Sequence, residues 1–229
     1  MKTPALALVL LAGLALSAGS NLARAQTVVS NLLNEGTPST TIISETKWTA
    51  SSFTTDSSAA SFALSSVTLR MRNATIDNTF FAGFRVAIYS NGGDNKPGTL
   101  LASFSAGDSG TGEPVTAGDY VYSLAGTTLA ANTTYWTVVA VVTSQPLGVY
   151  NGNLLSNNTV DAGSTWTLGK YSLSDDAGAT WGFASNGGMM MSIQASASAI
   201  PEPSTYAAMA GLGVLGLAVW RRRGVRKAA

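Results

Sequence analysis

Five residues late in the chain carry the side chains needed to hold a sugar. Trp166, Tyr171 and Trp181 fall in one short segment, with Asp175 and Asp176 between them. Aromatic rings exposed on one face stack on the apolar faces of sugar rings, and nearby carboxylates accept from sugar hydroxyls, so this set is a candidate contact for an exopolysaccharide. The same tryptophans would equally serve as core anchors, the commoner fate of a residue that is highly buried on average. Trp48 and Trp136 stand in strand-like runs and are expected in the core. A second candidate set consists of Asp94 with Asn95, Asp108, and the Asp175–Asp176 pair, all in Gly-rich stretches whose oxygens could hold Ca²⁺ outside a cell. None follows the Asp-x-Asp-x-Asp-Gly spacing of a calcium loop, so turn formation is their expected role and no cofactor is expected.

Other chemistries are narrowed by what is missing. The chain has no His and no Cys, which removes thiol nucleophiles, Ser-His triads, the usual zinc ligands and disulfides. A glycoside hydrolase needs only two carboxylates, but they must face each other about 5 to 9.5 Å apart. The acids here lie in turns or beside strands with nothing to fix such a pair, so the expectation is a protein that is not an enzyme, with a glycosidase as the least favoured alternative. The formal net charge of +1 conceals an uneven distribution. Seven of the basic residues lie at the two ends, as Lys2, Arg24, Arg221, Arg222, Arg223, Arg226 and Lys227, and the stretch between is left mildly acidic. An acidic body lacks the basic stripe that binds phosphates, so no nucleic-acid partner is expected.

The elements that would position these side chains are strands. Val67, Leu69 and Met71 alternate with Thr68, Arg70 and Arg72, and Phe84, Val86 and Ile88 alternate with Arg85, Ala87 and Tyr89, each predicting a strand with one wet face. Tyr135 to Val142 is apolar at nearly every position, as in a central strand covered on both sides. Met189, Met191, Ile193, Ala195 and Ala197 mark a last strand. Turn signals are read at Asn91–Gly98, Gly107–Gly112, Gly118-Asp119, Asn151-Gly152-Asn153, Asp175–Gly178 and Asn186-Gly187-Gly188. About ten short strands without intervening helices predict an all-β fold, an antiparallel β-sandwich or jelly roll, over residues 26–198.

The two ends read differently. Residues 1–25 have the pattern of a signal peptide: Lys2, an apolar run from Ala5 to Leu16, and the small residues Ala23 and Ala25 around a cleavage point. Residues 199–229 combine Pro201-Glu202-Pro203, a sixteen-residue apolar run from Thr205 to Trp220, and the basic cluster Arg221, Arg222, Arg223, Arg226 and Lys227. The prolines predict an exposed, extended segment that a protease can thread. Ser204 or Thr205 can cap a single transmembrane helix over 205–220, about 24 Å long and short for the hydrocarbon layer. The arginines would stay on the cytoplasmic side.

This tail closely resembles the PEP-CTERM sorting signal of Gram-negative bacteria. The resemblance implies a precursor exported across the inner membrane by the secretion machinery and held by its C-terminal helix. An exosortase, a membrane-embedded cysteine transpeptidase-like enzyme, would then cut it at or near Pro201-Glu202-Pro203 and free it to the cell surface or exterior. In the body, Trp48–Thr55, Phe62–Arg70, Val86–Ser90 and Lys96–Ala102 resemble the opening of the choice-of-anchor domains of bacterial surface proteins, R type. Leu129–Trp136 and Tyr171–Trp181 are similar to later steps of those domains. That resemblance implies a surface protein whose body is structural or adhesive, or a carbohydrate-binding module.

Overall fold

The computed structural model describes residues 25–34, 39–71, 84–105, 117–141, 150–156, 159–182, 188–198 and 210–217. Within them the period-two pattern is realised as strands β1 (Gln26–Ser30), β2 (Ser39–Ile43), β3 (Trp48–Thr54), β4 (Ser61–Met71), β5 (Phe84–Asn91), β6 (Pro97–Ser105), β7 (Gly118–Ala130), β8 (Thr134–Val141), β9 (Tyr150–Ser156), β10 (Thr167–Ser174), β11 (Gly188–Met189) and β12 (Met191–Ala197). All pairings are antiparallel and form two sheets. The seven-stranded sheet A holds β1, β12, β4, β7, β9, β2 and β11, and the five-stranded sheet B runs β10-β3-β8-β5-β6.

The pairing order is nested. Hairpin β5–β6 lies inside the pair β4–β7, which lies inside β3–β8, which lies inside β2–β9. Successive pairs alternate between the sheets, the arrangement of a long hairpin wrapped over itself as in a jelly roll. β4 gives one edge to β7 along its full length; its other edge takes β12 over Phe62–Leu69 and meets β9 at Met71.

Alternate residues of both sheets point into one core. β4 supplies Phe62 and Leu64, then Val67, Leu69 and Met71. The phase changes between Leu64 and Val67 because Ser65 is one extra residue on β4 against the Gln194–Ala195 step of β12. Sheet B answers with Phe53 of β3, Phe84, Val86 and Ile88 of β5, and Tyr135, Val139 and Val141 of β8. β8 is covered on both sides as expected, for Trp136 and Val138 join a second cluster on the outer face of sheet B with Ala50 and Trp181. The same cover corrects the reading of β5. Ala87, expected on a wet face, is buried beside its cross-strand neighbour Val138.

Two turn assignments also change. Gly118-Asp119 opens β7, paired across to β4, and Asn151-Gly152-Asn153 lies inside β9, paired with β2 and, at Asn153, with β4. The Asn91–Gly98 stretch does form a reversal: Asp94 and Asn95 adopt left-handed φ of 61° and 53° between β5 and β6. Asp175–Gly178 likewise forms a turn, while Gly107–Gly112 and Asn186-Gly187 lie outside the described residues. The last strand is interrupted at Met190, so β11 pairs with β9 and β12 with β1 and β4.

Residues 210–217 form a helix exposed along its whole length, including Leu212, Val214, Leu215 and Leu217. The rest of the helix expected over 205–220 lies outside the described residues, as do residues 1–24 of the expected signal peptide, Ala23 included. Among the described residues no helix is long and apolar enough to cross a membrane.

Candidate functional site

The five candidate sugar-contact residues start from β10, which pairs with β3 at the edge of sheet B. Just ahead of it, the N–H groups of Thr165 and Trp166 both donate to the Val28 carbonyl, at 2.9 and 3.0 Å, laying this segment along the free edge of β1. Trp166 is thereby turned inward and is 1% exposed. Its ring stacks on Phe53 at 5.7 Å and 3°, and meets Phe62 edge-on at 5.0 Å and 76°. Tyr171, opposite Ser51, is buried in the same core.

Trp181 lies on the other side of sheet B. After β10 the chain reverses and returns along its own strand: the Gly182 N–H donates to the Leu173 carbonyl at 2.7 Å, and the Ser172 hydroxyl donates to the Gly182 carbonyl at 2.7 Å. This return lays Trp181 over Ala50, Trp136 and Val138, where it is 9% exposed, with Trp48 and Tyr89 packed at the margin. Trp136 is fixed beneath it by an indole N–H donated to Asn91 Oδ1 at 2.9 Å.

The reversal is closed by Asp176. Its carboxylate accepts from the Thr180 hydroxyl at 2.5 Å, the Thr180 N–H at 2.8 Å and the Ser174 hydroxyl at 2.7 Å. These donors, the Thr180 hydroxyl foremost, stabilise the ionised form and lower the Asp176 pKa to about 2. The Ala177 N–H donates to the Thr46 carbonyl at 2.9 Å, docking the turn on the segment before β3. Gly178 has φ +83°, and a Cβ there would stand 2.6 Å from the Trp48 ring, so only glycine fits without displacement. Asp175 points outward, 4.0 Å from Lys47 Nζ, an exposed pair worth little.

The five residues are therefore close in sequence and divided in space. Trp166 and Tyr171 belong to the interior, Trp181 caps the opposite face of sheet B, and Asp175 and Asp176 occupy the turn between. Among the described residues no three acidic groups converge as metal ligands. Asp94 and Asn95 serve the β5–β6 reversal, and Asp108 lies outside the described residues.

Two polar centres that the sequence reading did not pick out are built from residues far apart in the chain. Asn31 is fully buried and brackets the start of the last strand: its Nδ2 donates to the Met189 carbonyl at 3.2 Å and its Oδ1 accepts from the Met191 N–H at 2.7 Å. Nearby, Asp161 clasps the segment after β1, accepting from the Ser30 hydroxyl at 2.5 Å, Asn34 Nδ2 at 2.8 Å and the Leu33 N–H at 3.2 Å. Beside this clasp runs an open groove of about 410 Å³, walled by Leu32, Leu33, Arg70, Asp119, Asp161 and Ser192 among others. Arg70 makes a two-pronged pair with Asp119, at 2.7 and 2.9 Å, and donates to the Leu32 carbonyl at 2.8 Å. The Arg70 hydrogen bonds lower the Asp119 pKa.

The folded body runs to the edge of the tail. The Ser198 N–H donates to the Ser61 carbonyl at 2.9 Å, extending the β12–β4 pairing past Ala197. Residues 199–223, which begin directly after that bond, match the PEP-CTERM protein-sorting motif. The match takes in Pro201, Glu202, Pro203, Arg221, Arg222 and Arg223; Arg226 and Lys227 follow it, and all eight lie outside the described residues. It supports an exosortase-sorted surface protein, with exosortase as the processing partner and a membrane-anchored precursor as the starting form. No curated protein matches the chain.

Proposed function

We propose that this protein is exported, cut by an exosortase at or near Pro201-Glu202-Pro203, and delivered to the cell surface or the polysaccharide around it, where the sandwich acts as a structural or adhesive module. The observation that carries this reading is the sorting motif beginning at residue 199, next to Ser198, whose N–H is bonded to Ser61 in the folded body. The order of proline segment, short apolar helix and terminal arginines fits a removable membrane handle. We read the body as non-enzymatic and of the choice-of-anchor kind; the support is the sequence resemblance together with the lack of His and Cys. Replacing Pro201, Glu202 and Pro203 together by alanine in the native host is expected to leave a full-length, membrane-retained species on immunoblots of membrane fractions. Processing identical to wild type would overturn the proposal.

A second reading, an exopolysaccharide-binding module, draws on the outer face of sheet B, where half-buried Trp48 and Tyr89 flank Trp181. It expects polysaccharide retention in a glycan-binding screen that is lost in Trp181→Ala.

A further inference from the structure

A protein held at a surface through the C-terminal end that cleavage near Pro201 leaves takes any pull close to Ser198, the last described residue of the body. β12, the strand just inside this point, is paired on both edges, with β1 through Gln26, Thr27, Val29 and Ser30 and with β4 over Phe62–Leu69. Both neighbours are antiparallel to it, and the inward side chains Met191, Ile193 and Ala195 are fully buried in the core. At the inner end of the strand, farthest from Ser198, the chain is pinned from three sides. Asn31 holds Met189 and Met191 by its side chain, and its own N–H donates to the Met191 carbonyl at 3.1 Å. The Arg70 N–H of β4 donates to the Met190 carbonyl at 3.0 Å. Ser51 Oγ of β3 reaches across from sheet B to accept from the Met189 N–H at 2.7 Å.

We propose that the sandwich carries tension through β12, with the Met189–Met191 segment as the pin that stops the strand from sliding out. This rests on the proposed function, with the body retained at the surface through the C-terminal end that cleavage at the proline segment leaves. A pull on Ser198 against the far end of the body loads β12 along its own axis, so the bonds of both ladders share the force and must fail together. A pull on Ser198 against Gln26 acts differently. Gln26 is paired with Ala195 at the same end of the sheet, so β1 is peeled from β12 one bond at a time. The fold therefore resists strongly in one direction and weakly in the other, a property of the barrier to forced unfolding rather than of equilibrium stability.

The chain contains no cysteine, so two introduced ones define a pulling axis without ambiguity. Full-length protein in detergent, carrying Ser198→Cys with either Leu33→Cys or Gln26→Cys, is stretched by single-molecule force spectroscopy. Leu33 is 83% exposed and lies beyond the far end of β1, so the substitution spares the core. Rupture force along Leu33–Ser198 is expected to exceed that along Gln26–Ser198 several-fold, and Asn31→Ala is expected to lower the first while leaving the second. Equal forces along the two axes, or an Asn31→Ala variant that keeps the full difference, would overturn the inference. Both outcomes are independent of whether exosortase processes the tail, which the proline-segment variant tests by itself.

Discussion

Among the described residues the sandwich has two apolar clusters, and they are closed by different means. The larger is enclosed by whole sheets: Trp166 sits between Phe53 and Phe62, with residues from strands of both sheets around it. The smaller, on the outer face of sheet B, is closed by one turn that lays Trp181 on Ala50, Trp136 and Val138. Tryptophans fifteen positions apart thus depend on different things. Trp166 is held by the entire fold, and Trp181 by the hydrogen bonds of residues 172–182, so damage to the first is global and damage to the second is local.

This contrast can be broken by substitution. Trp166→Ala empties a site between the sheets and is expected to cost about 3–5 kcal/mol in chemical denaturation, with the whole transition shifted. Trp181→Ala removes a lid that opens to solvent and is expected to cost about 1.5–3 kcal/mol. Equal losses for the two would mean that the outer cluster is as integral as the inner one. Gly178→Ala tests the turn directly: its Cβ would press on the Trp48 ring at a positive φ, for an expected loss of about 1–3 kcal/mol and an altered Trp48 environment in fluorescence.

The smallest expected effect is acid sensitivity at Asp176. Its folded pKa, about 2, is below that of an unfolded aspartate, so the stabilisation it provides is complete above the unfolded value of about 3.9 and fades as pH falls through the folded one. Asp176→Asn is expected to remove this part of the acid dependence, read from stability curves between about pH 4 and about pH 2. An unchanged curve would show that the Ser174 and Thr180 donors do not hold the turn.

Much of the architecture follows from alternation that can be seen in the chain. Val67, Leu69 and Met71, Phe84, Val86 and Ile88, and the doubly apolar run at β8 all became strands with the expected faces inward, because burial of one face enforces a strict period of two. The facing of Trp166 and Trp181 could not be read the same way. A bulge between Leu168 and Tyr171 and the return of the chain after Ser174 break the period between them, so parity in sequence no longer tells inside from outside. Asn31 and Asp161 carried no local signal at all. Each is an ordinary turn-type residue until the fold brings Asn31 to Met191, 160 positions away, and Asp161 to Ser30, 131 positions away. The sorting tail is the opposite case, a linear signal read by another protein and legible without any fold.

The nested order of strand pairs also sets a timetable. Hairpin β5–β6 joins neighbours in the chain and can form early, whereas β1 and β12 join its two ends and cannot meet until nearly all of the body is present. A topology so rich in distant contacts folds slowly, on the order of milliseconds to seconds. If the chain is exported as proposed, that delay would keep it pliable while it crosses the membrane. On the proposed export route β12 is the last of the described strands to emerge, so its insertion between β1 and β4 would complete the body beside the proline segment.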